Sequence, residues 1–144
     1  MDKRNNRLRA VSLERCYLLM LDHKTMNADL LAEIRLALQK VVEGAPDTCV
    51  TFEVEGDSDK WVQVFDQTVN AAYPYSDNPE ERLSKLGLSL ISTKLNCWEE
   101  NKFATFEVTP FEVEPVTEWI DAYFVRVLGC RSGEYHLDTA FVQI

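Results

Sequence analysis

Lys60–Gly87 reads KWVQVFDQTVNAAYPYSDNPEERLSKLG, and the reading of this stretch decides the fold. Trp61, Gln63 and Phe65 alternate with Val62 and Val64, the period of two that marks a β-strand. Asp66-Gln67 makes a tight reversal, and Val69, Ala71, Tyr73 and Tyr75 alternate along a following strand. Pro74 lacks a ladder donor, so that strand ends at an edge or in a bend. A short helix follows. Asn78 caps it, Pro79 takes its first position, Glu81 completes a capping-box pattern and Gly87 suits the left-handed residue after its end. Two helical turns are too few to stand alone, so packing must hold this element.

Upstream, Thr48–Glu55 alternates strictly, with Val50, Phe52 and Val54 on one face and Thr51, Glu53 and Glu55 on the other. One-sided patterning of this kind predicts an antiparallel sheet with one covered face. Gly56-Asp57-Ser58-Asp59 is expected as the turn into the strand at Trp61. Residues 27–43 are predicted as a helix, with Asn27 as N-cap between Met26 and Leu31 and a stripe of Leu30, Leu31, Ile34, Leu38, Val41 and Val42. Residues 1–25 fit an arm or an extra element, helix or strand, ahead of a single domain over 26–144.

Downstream, Leu88–Thr93 reads as a short strand, Lys94–Lys102 as a polar loop, and Phe103–Thr109 as a strand with Ala104, Phe106 and Val108 on one face. Val116, Trp119, Ile120, Tyr123, Phe124, Val127 and Leu128 keep helical spacing throughout, which predicts a long helix over Pro115–Leu128 with a wide apolar face. A last strand is expected at Thr139–Ile144. The fold class is therefore α+β: an antiparallel sheet of about five strands with long helices packed on one face, in the order α-β-β-β-α-β-β-α.

The chain has 144 residues and a net charge of −9, unevenly placed: residues 1–15 carry +3 and the remainder −12. An acidic body repels nucleic acid and anionic membrane and attracts basic partners. No window approaches 18 consecutive apolar residues, so neither a membrane span nor a secretory leader is expected, and a cytoplasmic protein is. Cys16, Cys49, Cys97 and Cys130 are far apart, unlike zinc ligand pairs or a disulfide framework. Asp57 and Asp59 form only a fragment of a calcium loop. His23 and His136 stand in no triad or metal motif, and no phosphate-cradling glycine loop is present. No cofactor, metal or catalytic residue is assigned; an enzyme would need a site assembled from distant residues such as Tyr73, Tyr75 and His136.

Trp61-Val62-Gln63-Val64, the run from Asn70 to Tyr75, Leu86-Gly87, Asn96 and the helix over Val116–Gly129 occur in an order that resembles the YbjN-like proteins and the type III secretion chaperones, over roughly residues 27–140. The chain departs from that pattern at Leu88, where a Trp is usual, and in its first 25 residues. The resemblance implies a small, acidic, often dimeric protein that holds a peptide or an unfolded segment of a partner. On that reading Trp61, Phe65, Tyr73 and Tyr75 are the candidate partner-binding residues, and Val125, off the main stripe of the last helix, the candidate dimer contact. Two further classes stand beside it: an acidic immunity-type inhibitor or regulatory subunit that binds one folded basic partner, and a small enzyme.

Overall fold

The computed structural model describes residues 15–45, 47–88 and 93–143, with side chains from residue 28 onward. Its elements are helix α1 (Arg15–Glu43), strands β1 (Thr48–Val54), β2 (Asp57–Phe65) and β3 (Thr68–Ala72), helix α2 (Pro79–Lys85), strands β4 (Thr93–Glu99) and β5 (Phe103–Val108), helix α3 (Val113–Ala122) and strand β6 (Leu137–Gln143). The six strands form one sheet in the order β4-β5-β3-β2-β1-β6, antiparallel at every pairing. This is the expected α+β class with six strands in the sheet rather than about five; the last of them starts at Leu137, two residues before the expected Thr139, and pairs with β1.

One face of the sheet is sealed. Val50, Phe52, Val62, Val64, Val69, Ala71, Ala104 and Phe106 are buried there with Leu30, Ile34 and Leu38 of α1 and Val116, Trp119, Ile120, Tyr123 and Phe124 of α3 and the turn after it. Alternation in the strands and 3.6-residue spacing in the helices supply this core directly. Arg35 of α1 joins α3 by two hydrogen bonds to Glu114, at 2.7 and 2.9 Å. The pair is exposed, so it aligns the helices more than it stabilises them.

Aromatic side chains in and beside the core carry polar tips, and three of these tips end on backbone carbonyls. Tyr123 donates to the Ala72 carbonyl at the end of β3 (2.7 Å), Trp119 Nε1 to the Leu88 carbonyl (2.7 Å), and Tyr75 to the Val127 carbonyl (2.6 Å). The helix after Ala122 widens into a π-helical turn over Tyr123–Val127, and the Leu128 amide donates back to the Tyr123 carbonyl, five residues earlier. The helix stops there, its last carbonyls have no donor within the helix, and Tyr75 takes the Val127 carbonyl. Gly129 then turns the chain with φ of 80°.

The segment between β3 and α2 is held by one clamp. Tyr73 donates to Asp77 Oδ1 (2.8 Å), Arg82 Nε donates to the same oxygen (3.0 Å), and the Arg82 guanidinium lies 3.6 Å from the Tyr75 ring centre. Arg82 first, then the Tyr73 hydroxyl, hold the Asp77 carboxyl below its usual range. The Asn78 side chain accepts from the Glu80 and Glu81 amides and so caps α2 as expected.

Several expectations are corrected. Helix α1 runs through Asn27, which is therefore not an N-cap; the helix begins by Arg15, and residues 1–14 of the expected arm lie outside the described residues. Val42 is not part of the core stripe but 55% exposed, because it follows Val41 around the helix and off the sheet-facing side. The Gly56–Asp59 turn is a two-residue turn at Glu55-Gly56, and Asp57–Lys60 already belongs to β2, displaced by a bulge opposite Glu53/Val54. Strand β3 ends at Ala72; Tyr73 and Tyr75 keep single backbone bonds to Lys102 and Asn101. Leu88 is not in a strand, and residues 89–92 lie outside the described residues. The expected polar loop over Lys94–Lys102 is instead mostly strand β4, whose alternation is hidden by a bulge between Leu95 and Cys97 and by its place at the sheet edge.

Replacing Tyr123 by Phe is expected to cost about 1 kcal/mol, the net worth of a buried hydrogen bond, measured by urea unfolding. A second expectation concerns alkali. Burial first, then the bond to Asp77, pushes the Tyr73 hydroxyl from an ordinary 10.0 up to about 12. Burial likewise pushes Tyr123 and Tyr135 up. Between these limits the folded chain keeps a proton that the unfolded chain has lost, so stability is full below pH 10 and falls as pH rises through about 12. Tyrosinate absorbance from these three side chains is expected to appear together with loss of the folded circular dichroism; absorbance rising well before unfolding would contradict it.

Candidate functional site

Among the described residues, helices cover only one face of the sheet, and the other face gathers the residues of opposite parity. Its centre is a ladder of side chains. Thr105 Oγ donates to Asn70 Oδ1 (2.9 Å), Asn70 Nδ2 to Gln63 Oε1 (3.3 Å), and Gln63 Nε2 to Thr51 Oγ (3.2 Å). The register sets these four directly across from one another on β5, β3, β2 and β1. Each amide spends one N–H on the ladder and has a second N–H to offer outward. The ladder thus fixes both amides and leaves a row of oriented donors.

Aromatic side chains flank the ladder, each half-buried. Trp61 lies on β2 directly across from Glu53, and Glu53 lies across from Asp138 of β6, so an indole and two carboxylates share one row. Phe103 extends the same level on β5, opposite Ala72 and Glu99. On the far side of the ladder Phe65 lines a shallow cleft of about 330 Å³ with Val41, Val42, Asp47 and Asp66. Asp47 and Asp66 both have positive φ, 67° and 56°, at the turns that form the cleft. Trp61 and Phe65 are four residues apart on one strand, a span of about 13 Å.

The four residues expected to bind a partner are thereby divided. Trp61 and Phe65 share the open face. Tyr73 is fully buried on the covered side, with its ring edge-on to Tyr75 and Trp98, and Tyr75 is half-buried with its hydroxyl taken by Val127. Both tyrosines serve the clamp between β3 and α2. Val125 is half-buried against the core. His136 adjoins β6, three strand spacings or about 14 Å from β3, so the sheet order separates it from Tyr73 and Tyr75. Phe103 and Glu53 belong to the open face and did not stand out in the sequence. Their signal was parity: Phe103 precedes buried Ala104, and Glu53 follows buried Phe52.

Burial pushes the Cys49 and Cys130 thiols up, away from the reactive thiolate. A hollow beside α2, lined by Glu80, Leu83, Leu88, Thr93, Leu95 and Phe106, holds about 100 Å³, room for a few water molecules. Among the described residues no group of three or more His, Cys, Asp or Glu side chains is placed to hold a metal ion, and no helix is long and apolar enough to cross a membrane. The chain matches no family model, no curated protein and no solved structure.

Proposed function

We propose that this chain is a non-enzymatic protein-binding module of the secretion-chaperone or YbjN-like kind, acting in the cytoplasm on an extended, basic segment of a partner protein. The observation that carries the reading is the open sheet face, where Trp61 stands beside Glu53 and Asp138 on one side of a row of amides and Phe65 lies on the other side, at the end of the sheet. A guanidinium or ammonium group stacks on an indole face and is drawn to an adjacent carboxylate, a pairing worth about 0.5–2 kcal/mol for the stacking alone. Trp61 with Glu53 and Asp138 forms one such receptor. The cleft at the end of the sheet, where Phe65 meets Asp47 and Asp66, forms the second, with the exposed Val42 to take the aliphatic stem of a Lys or Arg. Between them the outward amide donors of Gln63 and Asn70 suit the carbonyls of an extended chain.

The spacing sets the ligand. Two receptors about 13 Å apart match basic side chains four residues apart in an extended peptide. The net charge of −9 steers such a partner toward the surface and makes binding salt-sensitive. A peptide with two Arg four residues apart is expected to quench or shift the tryptophan fluorescence on binding, more weakly at high salt. Trp61→Ala is expected to weaken it at least about tenfold while leaving the melting temperature within a few degrees. Binding unchanged in Trp61→Ala would sink the assignment of this face. Binding only to a folded basic protein, and not to extended peptides, would favour an inhibitor of one partner instead.

A further inference from the structure

The sheet has two edges, and they are built differently. Edge strand β4, TKLNCWE, carries a bulge and charges at Lys94 and Glu99, the usual devices that stop an edge from pairing. Edge strand β6, LDTAFVQ, has neither a bulge nor a proline and only one charge, Asp138, over seven consecutive pairs with β1. Leu137 is buried, but the apolar side chains further along are in water: Phe141 is 42% and Val142 53% exposed.

The direction of its backbone groups follows from one bond. The Glu55 amide donates to the His136 carbonyl at 2.9 Å, in register with the β1–β6 ladder. In an antiparallel ladder such bonded pairs alternate with unbonded ones. Asp138 and Ala140 therefore bond to β1, while the N–H and C=O groups of Leu137, Thr139 and Phe141 point away from the sheet. Helix α1 flanks this edge with two charged residues and one exposed leucine. Glu33 accepts from Thr139 Oγ (3.3 Å), and Lys40 Nζ lies 5.3 Å from the Phe141 ring centre. Leu36, between Glu33 and Lys40 on that helix face, is 59% exposed at the same edge.

We propose that β6 pairs antiparallel with β6 of a second copy of this chain, about a two-fold axis at Ala140, and joins two sheets into one of twelve strands. Three features select a second copy. An antiparallel strand paired with itself is self-complementary, as a two-fold interface requires. With the axis at Ala140, the midpoint of the strand, Asp138 to Val142 of the two copies pair, while Leu137 stays in the core. Ala140 then meets Ala140 at the close, unbonded position, where a small side chain fits. The one charge, Asp138, faces Val142 of the other copy rather than a like charge. Phe141 faces Thr139 of the other copy and comes beside its Leu36, so the exposed apolar side chains cover each other. The seam is five residues long, about 16 Å, and two layers deep. That puts its buried area below the roughly 1,200 Å² of stable interfaces, and its dissociation constant at micromolar or weaker.

Sedimentation velocity of the full chain over roughly 1 to 500 μM is expected to show a monomer–dimer equilibrium. Thr139→Pro, which removes an outward N–H, and Phe141→Lys are each expected to raise the dissociation constant at least about tenfold. Val125→Ser is expected to leave it unchanged. Hydrogen exchange on the unaltered chain gives a readout that needs no variant. The Thr139 and Phe141 amides are expected to be protected at high concentration and to exchange quickly on dilution, while the Asp138 and Ala140 amides stay protected at both. A chain that is monomeric throughout, a dimer lost in Val125→Ser but kept in both edge variants, or Thr139 and Phe141 amides that exchange alike at both concentrations would overturn the proposal.

Discussion

The valine and phenylalanine side chains on one face of the sheet have to leave water, and α1 and α3 are what they leave it for. Every other feature of the fold answers to that constraint. Six strands at about 4.8 Å spacing make a sheet about 24 Å across, and two helices about 10 Å apart cover that width once. Nothing in the described chain remains to cover the second face, so the alternate residues there must tolerate water. They do so as Thr51, Gln63, Asn70 and Thr105, which satisfy one another, and as aromatic rings only half withdrawn from solvent. The same constraint explains the tyrosine and tryptophan tips. A helix that fills its buried face with Trp119 and Tyr123 brings an N–H and an O–H into the core, and each must end on a carbonyl.

Where one physical signal dominated, the sequence was legible. Val50, Phe52, Val62, Val64, Ala104 and Phe106 alternate cleanly, and all are buried. The seven apolar positions of the last helix, Val116 to Leu128, are all buried too, although the final turn is π rather than α. Side-chain spacing does not distinguish those two turns at a helix end. Strand β4 was lost because two effects coincide there: an edge strand has water on one side, and a bulge breaks the period of two midway. The start of α1 was misplaced because Met26 and Asn27 imitate a cap. That pattern is local, and a helix can run through it when the residues before it also favour helix.

The candidate site was legible in its chemistry and illegible in its assembly. Trp61, Phe65, Tyr73 and Tyr75 are all aromatic, close in sequence and alternating, and nothing local to them tells one face from the other. The difference arises from the residues across the strands. Val62 and Val64 are matched with Phe52 and Val50, which puts Trp61 and Phe65 on the opposite side from α1 and α3. Tyr73 shares parity with buried Val69 and Ala71, and so goes inward. Asp77 and Arg82 then convert the two tyrosines into a clamp, an arrangement that depends on Arg82 returning over Tyr75 from the first turns of α2.

The two proposals meet on one surface. A two-fold axis perpendicular to the sheet keeps like faces on the same side, so pairing through β6 would make the two open faces continuous. Asp138, Glu53 and Trp61 of each copy would then lie in rows on either side of the axis, separated by the central strands. A partner with one basic segment would meet two equivalent receptors, which changes the statistics of binding but not its chemistry. A partner with two such segments would gain more, because the second contact becomes intramolecular and its effective concentration depends on the linker. Dimerisation through β6 would therefore favour long, repetitive basic chains over short peptides without adding a single new contact to the open face. An interface through Val125, on the helical side of the sheet, would give no such continuity.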